Sequence, residues 1–199
     1  AVTYNNLANV YKAQGNLIEA KNYYKKALTL DPNSALTYNN LGVLYDDLDE
    51  FDNSVFNFKK SIEINPRFYV AYNNLGILYK QIGNFSEAKN YFDKSININP
   101  NFFAAHRNLG QLVKYKSGDN HLIQLEKFYN NPNILPLQKR ELAFALGKAY
   151  DDLEDFDKAY KYFYEGNLIT KQNLNFQINE EKKIFENIKK TFNKNTYKK

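Results

Sequence analysis

The sequence predicts an all-α fold, a right-handed solenoid of stacked helical hairpins, and three observations predict it. The first is a period of 34 residues. Tyr4-Asn5-Asn6-Leu7-Ala8-Asn9-Val10-Tyr11 returns as Tyr38-Asn39-Asn40-Leu41-Gly42-Val43-Leu44-Tyr45 and as Tyr72-Asn73-Asn74-Leu75-Gly76-Ile77-Leu78-Tyr79, with a worn fourth copy over His106–Val113. The second is that later landmarks keep step: Ala20, Ser54 and Ala88; Tyr24, Phe58 and Phe92; Pro32, Pro66 and Pro100. The third is the spacing inside each unit, where positions 4, 7, 8 and 11 fall on one helical face. A lone hairpin cannot bury its apolar face, so such units are stabilised by stacking on one another.

Numbering positions by the first copy, helix A is expected over about positions 3–14 and helix B over about 17–30. Position 8 is small (Ala8, Gly42, Gly76, Gly110), which lets a neighbouring helix approach. Gly15 and Gly83 suit a left-handed residue at a helix end. Pro32, Pro66 and Pro100 stop helix B. After Val113 the pattern breaks. Tyr115 to Asn120 reads as a turn, His121 to Tyr129 as a short helix with Leu122, Leu125, Phe128 and Tyr129 on one face, and Asn130 to Asn133 as a loop. A further hairpin follows, with Leu146, Gly147 and Tyr150 at positions 7, 8 and 11 and Phe156, Ala159 and Phe163 at 17, 20 and 24. Asn179 could cap a last helix carrying Ile184, Phe185, Ile188 and Phe192 on its apolar side. The expected organisation is therefore repeats over 1–116 (1–34, 35–68, 69–102 and a partial fourth from 103), a divergent region over 117–170 with a fifth repeat at about 140–170, and a capping helix with a basic tail over 171–199.

These landmarks resemble the tetratricopeptide repeat, whose pattern runs aromatic-x2-Leu-Gly-x2-Tyr, then Ala-x3-Phe, then Pro. The resemblance implies a module that binds proteins or peptides in its concave groove. A narrower one lies further on: Phe144-Ala145-Leu146-Gly147-Lys148-Ala149-Tyr150-Asp151-Asp152-Leu153, Asp157-Lys158-Ala159-Tyr160 and Glu165-Gly166-Asn167 are similar to a stretch of bacterial proteins that join such repeats to a sulfotransferase domain. It implies the repeat portion of a longer enzyme, without its catalytic loop.

Composition narrows the function. The eight glycines all have repeat or turn positions, and no G-x-x-x-x-G-K-[ST] or G-x-G-x-x-G string occurs, so no phosphate-cradling loop and no cofactor is expected. Cysteine is absent, which excludes disulfides and thiolate metal sites and fits a reducing cytoplasm. Methionine is absent too, which points to an excised or processed segment. No apolar run is long enough to cross a membrane. The net charge of +5 is concentrated in the tail, where seven lysines from Lys182 onward outnumber Glu180, Glu181 and Glu186. A body near neutrality argues against a nucleic-acid partner.

The candidate site is the groove face of helix A. Asn6, Asn40, Asn74 and Asn108 repeat at position 6, and a carboxamide can pair with a peptide's C=O and N–H whatever its side chains are. With helices about 8–10 Å apart and an extended peptide rising about 3.3 Å per residue, one Asn per repeat matches roughly every third peptide residue. The row resembles the asparagine ladder of nucleocytoplasmic O-linked N-acetylglucosamine transferases. The alternative is that these amides link neighbouring helices. Asn5, Asn39, Asn73 and Arg107 at position 5, and Asn9, Val43 and Ile77 at position 9, flank the row. The chaperone-type two-carboxylate clamp is not supported, because its Lys and Arg positions hold Asn5, Val70 and Asn74. The acidic strings Asp46–Asp52 and Asp151–Asp157 lack the calcium-loop spacing and read as turns and helix caps. His106 and His121 lack metal-ligand spacing, and His106, at the tyrosine position, reads as a packed core residue. A rival role is a self-associating scaffold, for which exposed aromatics Tyr69 and Phe103 would serve.

Overall fold

Helices form where the repeat landmarks place them. The computed structural model describes residues 1–173, which contain ten α-helices and no strand. They are α1 (Val2–Ala13), α2 (Leu17–Leu30), α3 (Ala35–Asp47), α4 (Phe51–Ile64), α5 (Tyr69–Gln81), α6 (Phe85–Ile98), α7 (Phe103–Gly110), α8 (Asn120–Tyr129), α9 (Pro136–Asp152) and α10 (Phe156–Asn173). The expected capping helix over 179–193 lies outside the described residues. Four A–B hairpins pair α1 with α2, α3 with α4, α5 with α6 and α9 with α10, and each B helix of the first three packs on the next A helix. This is the right-handed α-solenoid that the repeat period predicts.

Within a hairpin, the residue at position 8 packs on the aromatic ring at position 24. A Cβ added at Gly42 would sit 2.7 Å from the Phe58 ring, and at Gly76 or Gly147 it would meet Phe92 or Phe163 at the same distance. The ring and the missing side chain are thus one device for close helix approach. Between the helices the chain turns through a left-handed residue at position 15. Gly15 (φ 77°) and Gly83 (φ 80°) were expected there, but Asp49 (φ 57°) and Glu154 (φ 59°) take the same conformation. Helix B ends two residues before each proline, and the Asx side chain between them closes the turn. Asp31, Asn65 and Asn99 each accept the backbone N–H two residues on, at 3.2, 3.0 and 3.1 Å.

The fourth repeat keeps helix A and loses helix B. Its α7 runs for only 8 residues and packs directly on α9. The gap that a position-24 ring would fill is filled instead by Tyr115, 2% exposed, whose hydroxyl would lie 3.1 Å from a Cβ at Gly110. The turn expected over Tyr115 to Asn120 is present at Ser117–Gly118, but Tyr115 at its start inserts into the core, and Asp152 on α9 holds it by accepting the Tyr115 N–H at 3.1 Å. Phe103 is 5% exposed and packs on Phe128, so it does not offer the exposed surface expected of it, and half-buried Tyr69 packs at a tilt on Phe102.

Under α7 lies a buried hydrogen-bonded chain. His106 Nε2 faces the Pro100 carbonyl at 2.9 Å, His106 Nδ1 faces His121 Nε2 at 2.9 Å, and His121 Nδ1 faces the Tyr115 hydroxyl at 2.8 Å. A carbonyl can only accept, so with both rings neutral one assignment satisfies every atom. Tyr115 O–H donates to His121, His121 Nε2–H donates to His106, and His106 Nε2–H donates to Pro100. His106 is the core residue its position predicted, at 0% exposure.

Candidate functional site

The A helices crowd together on one side of the solenoid. Here α1 reaches α3 and α3 reaches α5, which makes this the inner face. Along it runs a ladder of amides. Asn40 donates to Asn5 Oδ1 at 3.2 Å, Asn74 to Asn39 Oδ1 at 3.0 Å, and Asn108 to Asn73 Oδ1 at 3.0 Å. Position 6 of each repeat thus grips position 5 of the repeat before it. Asn5, Asn39 and Asn73 are each 4% exposed, so their side chains are withdrawn from the groove surface and serve the rungs.

The rungs leave hydrogen-bonding capacity. Asn40 and Asn74 are half-buried and Asn6 is exposed. A carboxamide has two N–H donors and an oxygen, and one donor of Asn74 is spent on Asn39. Asn9 is less free than its exposure suggests, because its Oδ1 accepts from the Tyr24 hydroxyl at 2.5 Å and from Asn40 at 3.4 Å. Val43 and Ile77 are half-buried, each with one side against a core cluster, and they form an apolar strip beside the amides. Asn108 is 9% exposed and lies at the end of the row.

The ladder stops at the fourth repeat. Position 5 there is Arg107 and position 6 of the next helix is Ala145, so no amide rung can form. Instead Arg107 Nη1 meets Glu141 Oε2 at 2.9 Å, and its guanidinium lies over the Phe144 ring at 5.8 Å. Beside it is a depression of about 460 Å³ lined by Arg107, Gln111, Phe144, Lys148 and Phe163. Lys148 pairs with Asp152. Lys80 donates to Gln111 Oε1 at 2.6 Å. Burial, and then the neighbouring Arg107 charge, push the Lys80 ammonium below the usual lysine range.

Three groove residues escaped sequence reasoning: Asp46, Lys80 and Lys148. Asp46 and Lys80 share position 12, and Lys148 sits at position 9, so register was the available signal. Asp46 Oδ1 is buried with no hydrogen-bond donor, and burial followed by the Asp47 charge raises its carboxyl above the usual range. Other residues of the acidic strings act as staples and caps. Asp47 pairs with Lys12 at 2.9 Å, Glu50 with Lys21 at 3.3 Å, and Asp155 Oδ1 accepts the Lys158 N–H at 3.2 Å. Among the described residues no group of three or more metal-ligating side chains converges, and no helix is long and apolar enough to cross a membrane.

Comparison with known proteins agrees with this architecture. A family model for the tetratricopeptide repeat (TPR) matches residues 1–34, 35–68 and 69–102, and a second model of the same repeat matches 141–173. The partial fourth repeat falls between them. No curated protein matches the chain. Among solved structures, that of MamA is 24% identical, covers 85% of this chain and 97% of its own, and superposes with a TM-score of 0.59. YrrB, described as a TPR protein with an unusual peptide-binding site, is 22% identical over 85% of this chain and 86% of its own, with a TM-score of 0.57. The first TPR of Spaghetti (RPAP3), bound to the HSP90 peptide SRMEEVD, is 23% identical over 56% of this chain and 88% of its own, with a TM-score of 0.53.

Proposed function

We propose that this chain, which belongs to the tetratricopeptide-repeat family, binds an extended protein or peptide segment along its inner face. The observation that carries the reading is the continuous amide row Asn6, Asn40, Asn74 and Asn108. The rungs leave hydrogen-bonding capacity on the half-buried Asn40 and Asn74 and on the exposed Asn6, beside Val43 and Ile77. Two of the similar structures are described by the peptides or peptide site they hold, which supports the same use here.

The test must separate binding from folding, because each rung also joins two repeats. Asn39→Ala with Asn74→Ala removes both partners of one rung, which leaves no buried amide unpaired and is the gentler deletion. Peptides selected from a random display library should bind the wild-type chain and lose affinity for this folded pair variant. N-methylation of the peptide backbone should weaken binding more than side-chain swaps. Equal affinity for both folded proteins would remove the ladder from the site.

A narrower reading is that the module presents substrate to a sulfotransferase domain in a longer protein. It rests on the residues over 144–167 that resemble repeat–sulfotransferase proteins. Sulfate transfer by the full gene product, lost when the repeats are deleted, is the expected result. A full gene product without sulfotransferase activity would end this reading.

A further inference from the structure

The amide ladder ends at a place where positive charge lacks its counterpart. In the first repeat, Lys12 at position 12 pairs with Asp47, position 13 of the next repeat, at 2.9 Å. Lys80 occupies position 12 of the third repeat. The residue in register with Asp47 is Tyr115, and it is drawn into the core against Gly110, 2% exposed. The fourth repeat thus offers Lys80 no carboxylate at that position. Its ammonium is left with a neutral amide, Gln111 Oε1 at 2.6 Å, and with Arg107 as a like-charged neighbour. The other charges nearby are already committed. Glu141 is shared between Arg107 at 2.9 Å and Arg140 at 2.6 Å, and Asp152 is held by Lys148 and by the Tyr115 N–H.

We infer that this end of the groove is an anchoring subsite for a carboxylate of the bound peptide, seated between Lys80 and the unused edge of Arg107, with an adjoining apolar side chain over Phe144. The inference rests on the peptide-binding reading above and names the chemistry that reading leaves open. A guanidinium has five N–H donors, and Glu141 engages Nη1, so the remaining fork can take a second carboxylate. The Gln111 amide can donate to the same oxygen while its own oxygen holds Lys80. A half-buried ammonium beside a like charge is disfavoured, and an incoming carboxylate reverses that. The depression of about 460 Å³ beside Arg107 has room for one side chain, and Phe144 and Phe163 supply its apolar wall.

The experiment uses the whole chain and a random linear dodecapeptide display library, followed by synthetic peptides of the selected sequence. Acidic residues should be enriched in the selection. Replacing the selected Glu or Asp by its amide should lower affinity by roughly tenfold, the scale of one charge-assisted hydrogen bond. Lys80→Gln should lower it by a similar factor, and the glutamine amide can still donate to Gln111, so the fold is kept. Arg107→Gln is the companion variant. Binding of the acidic peptide should weaken with added salt, unlike that of its amide counterpart. C-terminal amidation distinguishes the source: an unchanged affinity assigns a side-chain carboxylate, and a comparable loss assigns the chain terminus at the same subsite. Selected peptides without acidic residues that bind wild type and Lys80→Gln alike would overturn this inference and leave the groove reading standing. A library that yields no binder would overturn both.

Discussion

Position 8 in the second, third and fifth repeats has room for no more than a hydrogen. A methyl group at Gly42 would lie 2.7 Å from the ring of Phe58, which is 1% exposed and cannot swing into solvent. Gly42→Ala gains about 1 kcal/mol of helix propensity. It should still lose stability overall, by about 1–3 kcal/mol, because overpacking a closed core outweighs that gain. Urea unfolding with an unchanged or raised midpoint would mean the ring has slack. The left-handed turn residues behave in the opposite way. Glu154 at φ 59° carries a strain that glycine does not, about 1–2 kcal/mol, against about 0.4–1 kcal/mol of added chain entropy in the unfolded state. Glu154→Gly should therefore raise the unfolding midpoint slightly. Asp49→Gly should gain less, since aspartate tolerates this conformation better. A lowered midpoint for Glu154→Gly would mean that its side chain contributes more than its backbone costs.

At the scale of elements, the first four A helices are tied each to the next by one amide rung, and the rung has two ends of unequal exposure. Asn74→Ala leaves Asn39 Oδ1, on a residue 4% exposed, without its donor. The expected cost is about 1–3 kcal/mol. Adding Asn39→Ala should recover part of it, because the orphaned acceptor disappears with its partner. A double-mutant cycle in urea measures this coupling, and strictly additive effects would show that the two side chains do not depend on each other. These rungs make the position-6 asparagines structural as well as ligand-facing. The alternative read from the sequence, that these amides link neighbouring helices, holds through the buried partner at position 5.

For the molecule as a whole, the weakest point under acid should be the junction where α7 meets α9. The Tyr115–His121–His106–Pro100 chain is complete only with both imidazoles neutral. Burial depresses His106, and burial together with the neighbouring His106 brings His121 down to about 4. Asp119 opposes the shift at His121, and burial holds the Tyr115 phenol in its protonated form. In the unfolded chain both histidines titrate near about 6.5. Below that pH the unfolded state takes up protons that the folded state refuses. The stability they contribute is thus full above about pH 6.5 and declines as pH falls, for His121 by up to about 1.4 kcal/mol per pH unit towards 4, with His106 adding in the same direction. Urea unfolding at pH 7.5, 6.5, 5.5 and 4.5 should show the decline beginning near 6.5. A midpoint that stays flat down to pH 5 would mean the ring pair opens or hydrates without cost. Lattice-like addition of identical units would have avoided this fragility, which arises because the fourth repeat lacks helix B.

What the sequence determined by itself was everything carried by local period. Helix boundaries, the small residue at position 8, the prolines after helix B, the short helix over 121–129 and the buried place of His106 all follow from spacing within one unit, and spacing is written in the chain. The candidate groove was legible to the same extent: the asparagines of position 6 recur, so the face they share could be named. Only the tertiary structure decided how those amides are used, since a rung joins atoms 35 residues apart and depends on how one hairpin sits on the next. It likewise decided that Tyr115 fills the space of a missing helix, and that Lys80 meets the Gln111 amide and the Arg107 charge. Those outcomes depend on which side chains compete for one volume and one charge, and a linear pattern does not contain that competition.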